Sequence, residues 1–89
     1  METKILLVDD NPNVISFIQP ALERAGYRVT TAGDGLDALY QAETVNPDLI
    51  VLDIEMPELN GLEVCRRLRE RGDETPVIFL TVRDAVTDL

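Results

Sequence analysis

Three short apolar runs, each closed by a carboxylate or a hydroxyl, do most to fix what this chain can fold into. Lys4–Val8 reads KILLV and stops at Asp9-Asp10, Asp48–Asp53 reads DLIVLD, and Pro76–Thr81 reads PVIFLT. Runs of this length, bounded by turn residues, suit strands buried on both faces of a parallel sheet. A fourth segment, Tyr27–Ala32 (YRVTTA), alternates more and reads as an edge strand.

Helical patterns separate the runs. Asn11 is a good N-cap and Pro12 suits the first helical position. Val14, Ile15, Ile18, Leu22 and Ala25 follow at helical spacing, and Gly26 ends the segment. Pro20 lacks an N–H and crowds the carbonyl of Ser16. The apolar stripe continues across it, so a kink is expected there and not a break. A second helix is expected from about Leu36 to Val45, with Leu36, Leu39 and Ala42 inward, Ala38 as a further candidate, and Asn46-Pro47 as its stop. A third runs from about Gly61 to Arg71, with Leu62, Cys65 and Leu68 inward and Gly72 as its stop. Residues 85–89 look like the first turn of a fourth. Asn60-Gly61 is a hairpin signal, but its flanks do not alternate as paired strands would. The order β-α-β-α-β-α-β argues for an α/β fold: a doubly wound parallel sheet with right-handed crossovers.

Charge and composition narrow the function. Eight Lys+Arg stand against 17 Asp+Glu with no His, a formal charge of -9. Such a balance repels nucleic acid, whose binding rests on cations neutralising phosphates. Arg66, Arg67, Arg69 and Arg71 form the nearest thing to a basic patch, but Glu63, Glu70, Asp73 and Glu74 surround them, as on a solvated helix face. No apolar run approaches the ~20 residues of a membrane span. The N-terminus shows no basic-then-apolar leader, so a cytoplasmic protein is expected. One cysteine and no histidine leave no internal disulfide, no Cys/His zinc site and no Ser-His or Cys-His catalysis.

Asp9 and Asp10 end the first run and Asp53 ends the third. In an open parallel sheet the C-terminal strand ends line one edge, and ligands bind there where strand order reverses. If the first and third strands are neighbours, the three acids converge. Clustered carboxylates raise one another's pKa, which a bound cation offsets. Hard oxygen donors without His or Cys favour Mg²⁺. A carboxylate beside Mg²⁺ is also a nucleophile towards phosphorus, giving an aspartyl phosphate. Thr81, ending the fourth strand, would face the same edge and could donate to a phosphoryl oxygen. Each residue also has an ordinary role to hand, since Asp is a common N-cap and Thr a common turn residue.

The ordered series ILLVDD (Ile5–Asp10), AGYRVTTA (Ala25–Ala32), DGLDAL (Asp34–Leu39), PDLIVLDIEMPELNG (Pro47–Gly61) and TPVIFLT (Thr75–Thr81) resembles the receiver domain of bacterial two-component response regulators. The resemblance covers essentially the whole chain. It implies the flavodoxin-like fold with strand order 2-1-3-4, and Asp53 as phospho-acceptor from a histidine kinase. Asp10 and Asp53 would be direct Mg²⁺ ligands with the backbone carbonyl of Glu55. Asp9 would hold metal-bound water, Thr81 would be the switch hydroxyl, and Pro57 and Gly61 would shape the loop after Asp53. The family catalyses its own phosphotransfer and dephosphorylation and is not an enzyme in the usual sense.

Against the family's five βα units, residues 1–89 read as an incomplete receiver domain, about 30 residues short on the pacing of a βαβ unit. Most of the fourth helix, the fifth strand and the fifth helix would be missing, with the family's lysine and switch aromatic. Lys4 cannot stand in for that lysine, and impaired phosphorylation is expected. Val82 stands where the family often has a small residue. The fourth strand (Val77, Ile78, Phe79, Leu80) would become an apolar edge, and one face of the first and third strands would be uncovered. Such an edge recruits another chain, so a homo-oligomer, by edge pairing or segment exchange, is expected. Two other readings use the same residues: a phosphorylation-incompetent truncated or engineered fragment acting as an assembly scaffold, and a Mg²⁺-dependent phosphohydrolase with Asp53 attacking and Glu55 as acid/base.

Overall fold

The computed structural model describes residues 2–80. Four parallel strands, β1 (Lys4–Val8), β2 (Arg28–Ala32), β3 (Leu49–Asp53) and β4 (Val77–Leu80), alternate with three helices, α1 (Pro12–Arg24), α2 (Gly35–Val45) and α3 (Gly61–Glu70). The sheet order is β2-β1-β3-β4, the order that the family resemblance implied for the parallel sheet read from the alternation. From β1 the chain crosses outward to β2, then reverses to β3 and β4. Crossovers of one hand on both sides of that reversal place α1 on one face and α2 and α3 on the other.

Each helix starts on a side-chain cap. Asn11, Asp34 and Asn60 accept from the backbone N–H groups of Asn13, Asp37 and Glu63. Each also ends on a recognisable stop. Gly26 (φ 101°) and Gly72 (φ 82°) follow α1 and α3 in the left-handed region, and Asn46 (φ 56°) closes α2. Helix α1 runs unbroken through Pro20. Asn60-Gly61 starts a helix and makes no hairpin.

The core lies on the α2/α3 face. Leu6, Val8, Ile50 and Leu52 of the sheet meet Ala38, Ala42, Val64 and Leu68 of the helices, closed at one end by Met56 and Leu59. Three expected core positions differ. Leu36 is 65% and Leu62 56% exposed, and Ala25 is also exposed. The inward stripes are instead Gly35, Ala38, Ala42 on α2 and Gly61, Val64, Leu68 on α3, both at the i, i+3, i+7 spacing of one helix face. On the opposite face α1 has no fully buried residue, and its half-buried apolar residues are Val14, Ile15, Ile18 and Leu22.

The first strand is not uncovered as expected. Ile5, Leu6, Leu7 and Val8 are all buried, because β1 has a neighbour on each side and a helix layer on each face. The thinner cover falls further out, at half-buried Leu49 and Val51 on β3 and at β4. Among the described residues β4 has no partner on its outer edge, and Ile78 is 55% and Phe79 37% exposed. The expected start of a fourth helix at 85–89, and Val82, lie outside the described residues.

Candidate functional site

The register brings the acids together. Val8 pairs with Leu52, so the residues that follow them, Asp9 just past β1 and Asp53 at the end of β3, lie side by side at the C-terminal edge of the sheet. This is the reversal point between β2-β1 and β3, where open α/β sheets form a crevice. Carboxylate oxygens of Asp9, Asp10 and Asp53 all lie within 4.8 Å of one another. Asp9 is buried, Asp53 half-buried and Asp10 exposed.

Backbone donors hold the carboxylates. The Asn11 N–H donates to Asp9 Oδ1 at 2.9 Å, while the Asp9 N–H donates to the carbonyl of Ala32 at 3.2 Å and extends the β1–β2 ladder. The Glu55 N–H donates to Asp53 Oδ1 at 3.2 Å. Burial first, and then the charges of Asp9 and Asp10, push the Asp53 carboxyl up to about 6, against the pull of the Glu55 N–H. Burial also raises Asp9, with the Asp10 charge adding to it. Three oxygen donors so close together, with Asp9 and Asp53 held above the ordinary carboxylate range, are a set that a hard cation satisfies. The donor set therefore fits Mg²⁺.

The connection from β3 to α3 is tightly held. The Gly61 N–H donates to the carbonyl of Ile54 at 2.8 Å. A Cβ on Gly61 would lie 2.2 Å from the carbonyl oxygen of Asp53, so only glycine lets α3 begin against that backbone. Glu58 sits at φ 68°, and the Leu59 N–H donates to the carbonyl of Pro57 at 2.7 Å, a three-residue γ-turn. Such a backbone costs about 1–3 kcal/mol in a residue other than glycine. Ile54, Glu55, Met56, Pro57 and Asn60 line an open cleft on this connection.

Of the five residues singled out in the sequence, Asp9, Asp10 and Asp53 meet in one cluster, and Glu55 touches it by donating its backbone N–H to Asp53. Thr81 lies outside the described residues, although Leu80 just before it is the register partner of Asp53. Lys4 is at the opposite end of β1, where its Nζ donates to the carbonyl of Val45 at 3.0 Å. The arginines of α3 are exposed, and Arg66 and Arg67 pair with Glu63, which holds that carboxyl down to about 2. They form the solvated face that the charge pattern suggested. Among the described residues no helix is long and apolar enough to cross a membrane. Nothing in the chain's hydropathy singles out Gly35 as a packing site, since a glycine carries no apolar signal.

Fold and site together define a doubly wound α/β domain with an acidic, cation-ready crevice where the strand order reverses. Comparison with known proteins makes the class specific. Residues 5–89 match the response regulator receiver domain family. The chain is 49% identical over 88 residues to the alkaline phosphatase synthesis transcriptional regulatory protein PhoP of Bacillus subtilis, covering 99% of this chain and 37% of that protein. The receiver domain of a Francisella response regulator superposes with a TM-score of 0.87 at 37% identity, covering 98% of this chain and 72% of that one. Response regulator TrrA of Thermotoga maritima, solved in complex with Mg²⁺-BeF, gives a TM-score of 0.85 at 39% identity, covering 98% and 76%. The chain belongs to the response regulator receiver domain family of two-component signalling. It spans little more than a third of the length of the curated relatives it matches.

Proposed function

We propose that this chain is a phospho-acceptor, with Asp53 taking a phosphoryl group from the phosphohistidine of a histidine kinase. The observation that carries this reading is the meeting of three carboxylates within 4.8 Å at the strand-order reversal. Asp10, Asp53 and the backbone carbonyl of Glu55 would hold Mg²⁺, with Asp9 completing the oxygen set. When bound, the ion supplies positive charge against the phosphoryl oxygens. The chain's own part is positioning. The Glu55 N–H fixes the Asp53 carboxylate, and the Asn11 N–H fixes Asp9 behind it. An Asp53 oxygen bonds to phosphorus as the N–P bond breaks, and the electron pair returns to the imidazole. Thr81 would then donate to a phosphoryl oxygen. Hydrolysis of the acyl phosphate would be slow self-dephosphorylation and not turnover of a free substrate. A cytoplasmic location follows from this reading.

Incubation with Mg²⁺ and acetyl phosphate, followed by intact mass spectrometry, tests it. A phosphoryl adduct on the parent, absent in Asp53→Asn, is expected. No adduct, or one that survives Asp53→Asn, overturns the assignment, and turnover of phosphate esters would favour the phosphohydrolase.

The exposed Ile78 and Phe79 on the outer strand favour a second reading, an assembly scaffold that associates through β4 and takes no phosphoryl group. Under it the same incubation leaves no adduct, and light scattering shows a defined oligomer.

A further inference from the structure

A Cβ built on Gly35 would lie 2.6 Å from the carbonyl oxygen of Leu59, 2.8 Å from its Cβ and 3.0 Å from its Cδ2. The first turn of α2 therefore touches the β3–α3 connection with no room for any side chain. Gly35 and Leu59 are both buried, and Leu59 directly follows the γ-turn residue Glu58. The far end of the connection is fixed by Gly61 against Asp53. The segment that carries Glu55 is thus pinned at two points, one on the phospho-acceptor's own strand and one on α2.

We propose that Gly35 is a positioning residue: the side-chain-free start of α2 bears on Leu59 and holds the 54–60 connection, and with it the Glu55 backbone, at the acidic pocket. Asp34 anchors α2 by accepting from the Asp37 N–H at 2.8 Å, and the Ala38 N–H donates to the Asp34 carbonyl at 3.0 Å. The helix start is therefore fixed, and a methyl group at Gly35 must be accommodated by Leu59. The nearest atom there is a backbone oxygen, which no rotamer change can move. Displacing it moves the γ-turn, and Met56, Pro57 and Glu58 carry that movement back to Glu55. Residues that orient ligands from outside the coordination sphere alter metal affinity by about 10–100-fold.

The inference rests on the pocket being a Mg²⁺ site, and the test separates the two ideas. Gly35→Ala is compared with the parent by amide hydrogen exchange without metal and by calorimetric titration with MgCl₂. Gly33→Ala is the control, because a Cβ there meets nothing within 4 Å. In Gly35→Ala the Gly61 and Leu59 amides are expected to exchange about 10-fold faster. Mg²⁺ affinity should fall about 10-fold. The Ala38 amide should keep its protection, and Gly33→Ala should match the parent throughout. Parent-like exchange at Gly61 with parent-like Mg²⁺ affinity overturns the proposal, as does loosening confined to α2. If Gly35→Ala does not fold, Leu59→Ala removes the Cδ2 that packs on the start of α2 and leaves the backbone oxygen and Cβ in place. A smaller shift in the same two readouts then supports the proposal, and no shift overturns it. A parent that binds no Mg²⁺ refutes the phospho-acceptor reading, while the exchange measurement still decides whether Gly35 holds the connection.

Discussion

Asp53→Asn is expected to make the metal-free protein more stable at neutral pH. The substitution keeps the shape of the side chain and an acceptor for the Glu55 N–H, and removes one of three crowded charges. An aspartate ordinarily titrates near 3.8, and burial with the neighbouring acids lifts Asp53 to about 6. Between those values the folded chain holds more protons than the unfolded chain, so folding loses stability as the pH rises. The penalty is absent below 3.8, grows through the interval and is complete above about 6. At about 1.4 kcal/mol per pH unit the ceiling is about 3 kcal/mol. Asp53 is only half-buried, and screening by solvent reduces this to about 1–2 kcal/mol. For a domain of this size that raises the melting temperature by about 5–10 °C. Thermal unfolding followed by circular dichroism in a chelator reads it directly. The gain should shrink as the pH is lowered from 6 towards 3.8. Mg²⁺ at 100 times its dissociation constant should add about 2.7 kcal/mol to the parent, and most of that should be lost in Asp53→Asn. If Asp53→Asn proves no more stable than the parent at neutral pH without metal, burial and the neighbouring acids do not penalise the Asp53 carboxylate and the expectation fails.

Two further outcomes follow from the packing. Gly61→Ala places a methyl group 2.2 Å from the Asp53 carbonyl oxygen. It should cost about 1–3 kcal/mol in urea unfolding; a cost near zero would mean that α3 does not bear on that strand. Ile78→Lys puts a charge on the exposed strand, and any concentration-dependent association seen by light scattering in the parent should weaken. Unchanged association would place the contact elsewhere.

The strand layout was legible because each apolar run is uninterrupted and ends at an acid or a turn. Lys4–Val8 is a strand with those bounds, and each of the other three begins one residue later than its run. Strand-end position likewise put Asp9, Asp10 and Asp53 at one edge, but their meeting also needed β1 and β3 to be neighbours, which the family resemblance implied and the register shows. The helix faces were harder. Leu36 and Leu62 drew the apolar stripe one residue too far along, whereas the inward positions are Gly35 and Gly61. Hydropathy counts large side chains, but at these two places the structure needs the absence of one. The γ-turn at Glu58 was equally hidden, because nothing in an ordinary glutamate announces a left-handed backbone.

The unequal sheet faces have an energetic consequence. Helix α1 has no fully buried residue, whereas α2 and α3 share one continuous core with the sheet. Segments with little apolar anchorage open at lower free energy than the whole molecule. The first part to peel away should therefore be α1, and Asn11, which caps it, is also the residue whose N–H steadies Asp9. The wall of the acidic crevice that comes loose most cheaply is thus the one built from Asn11.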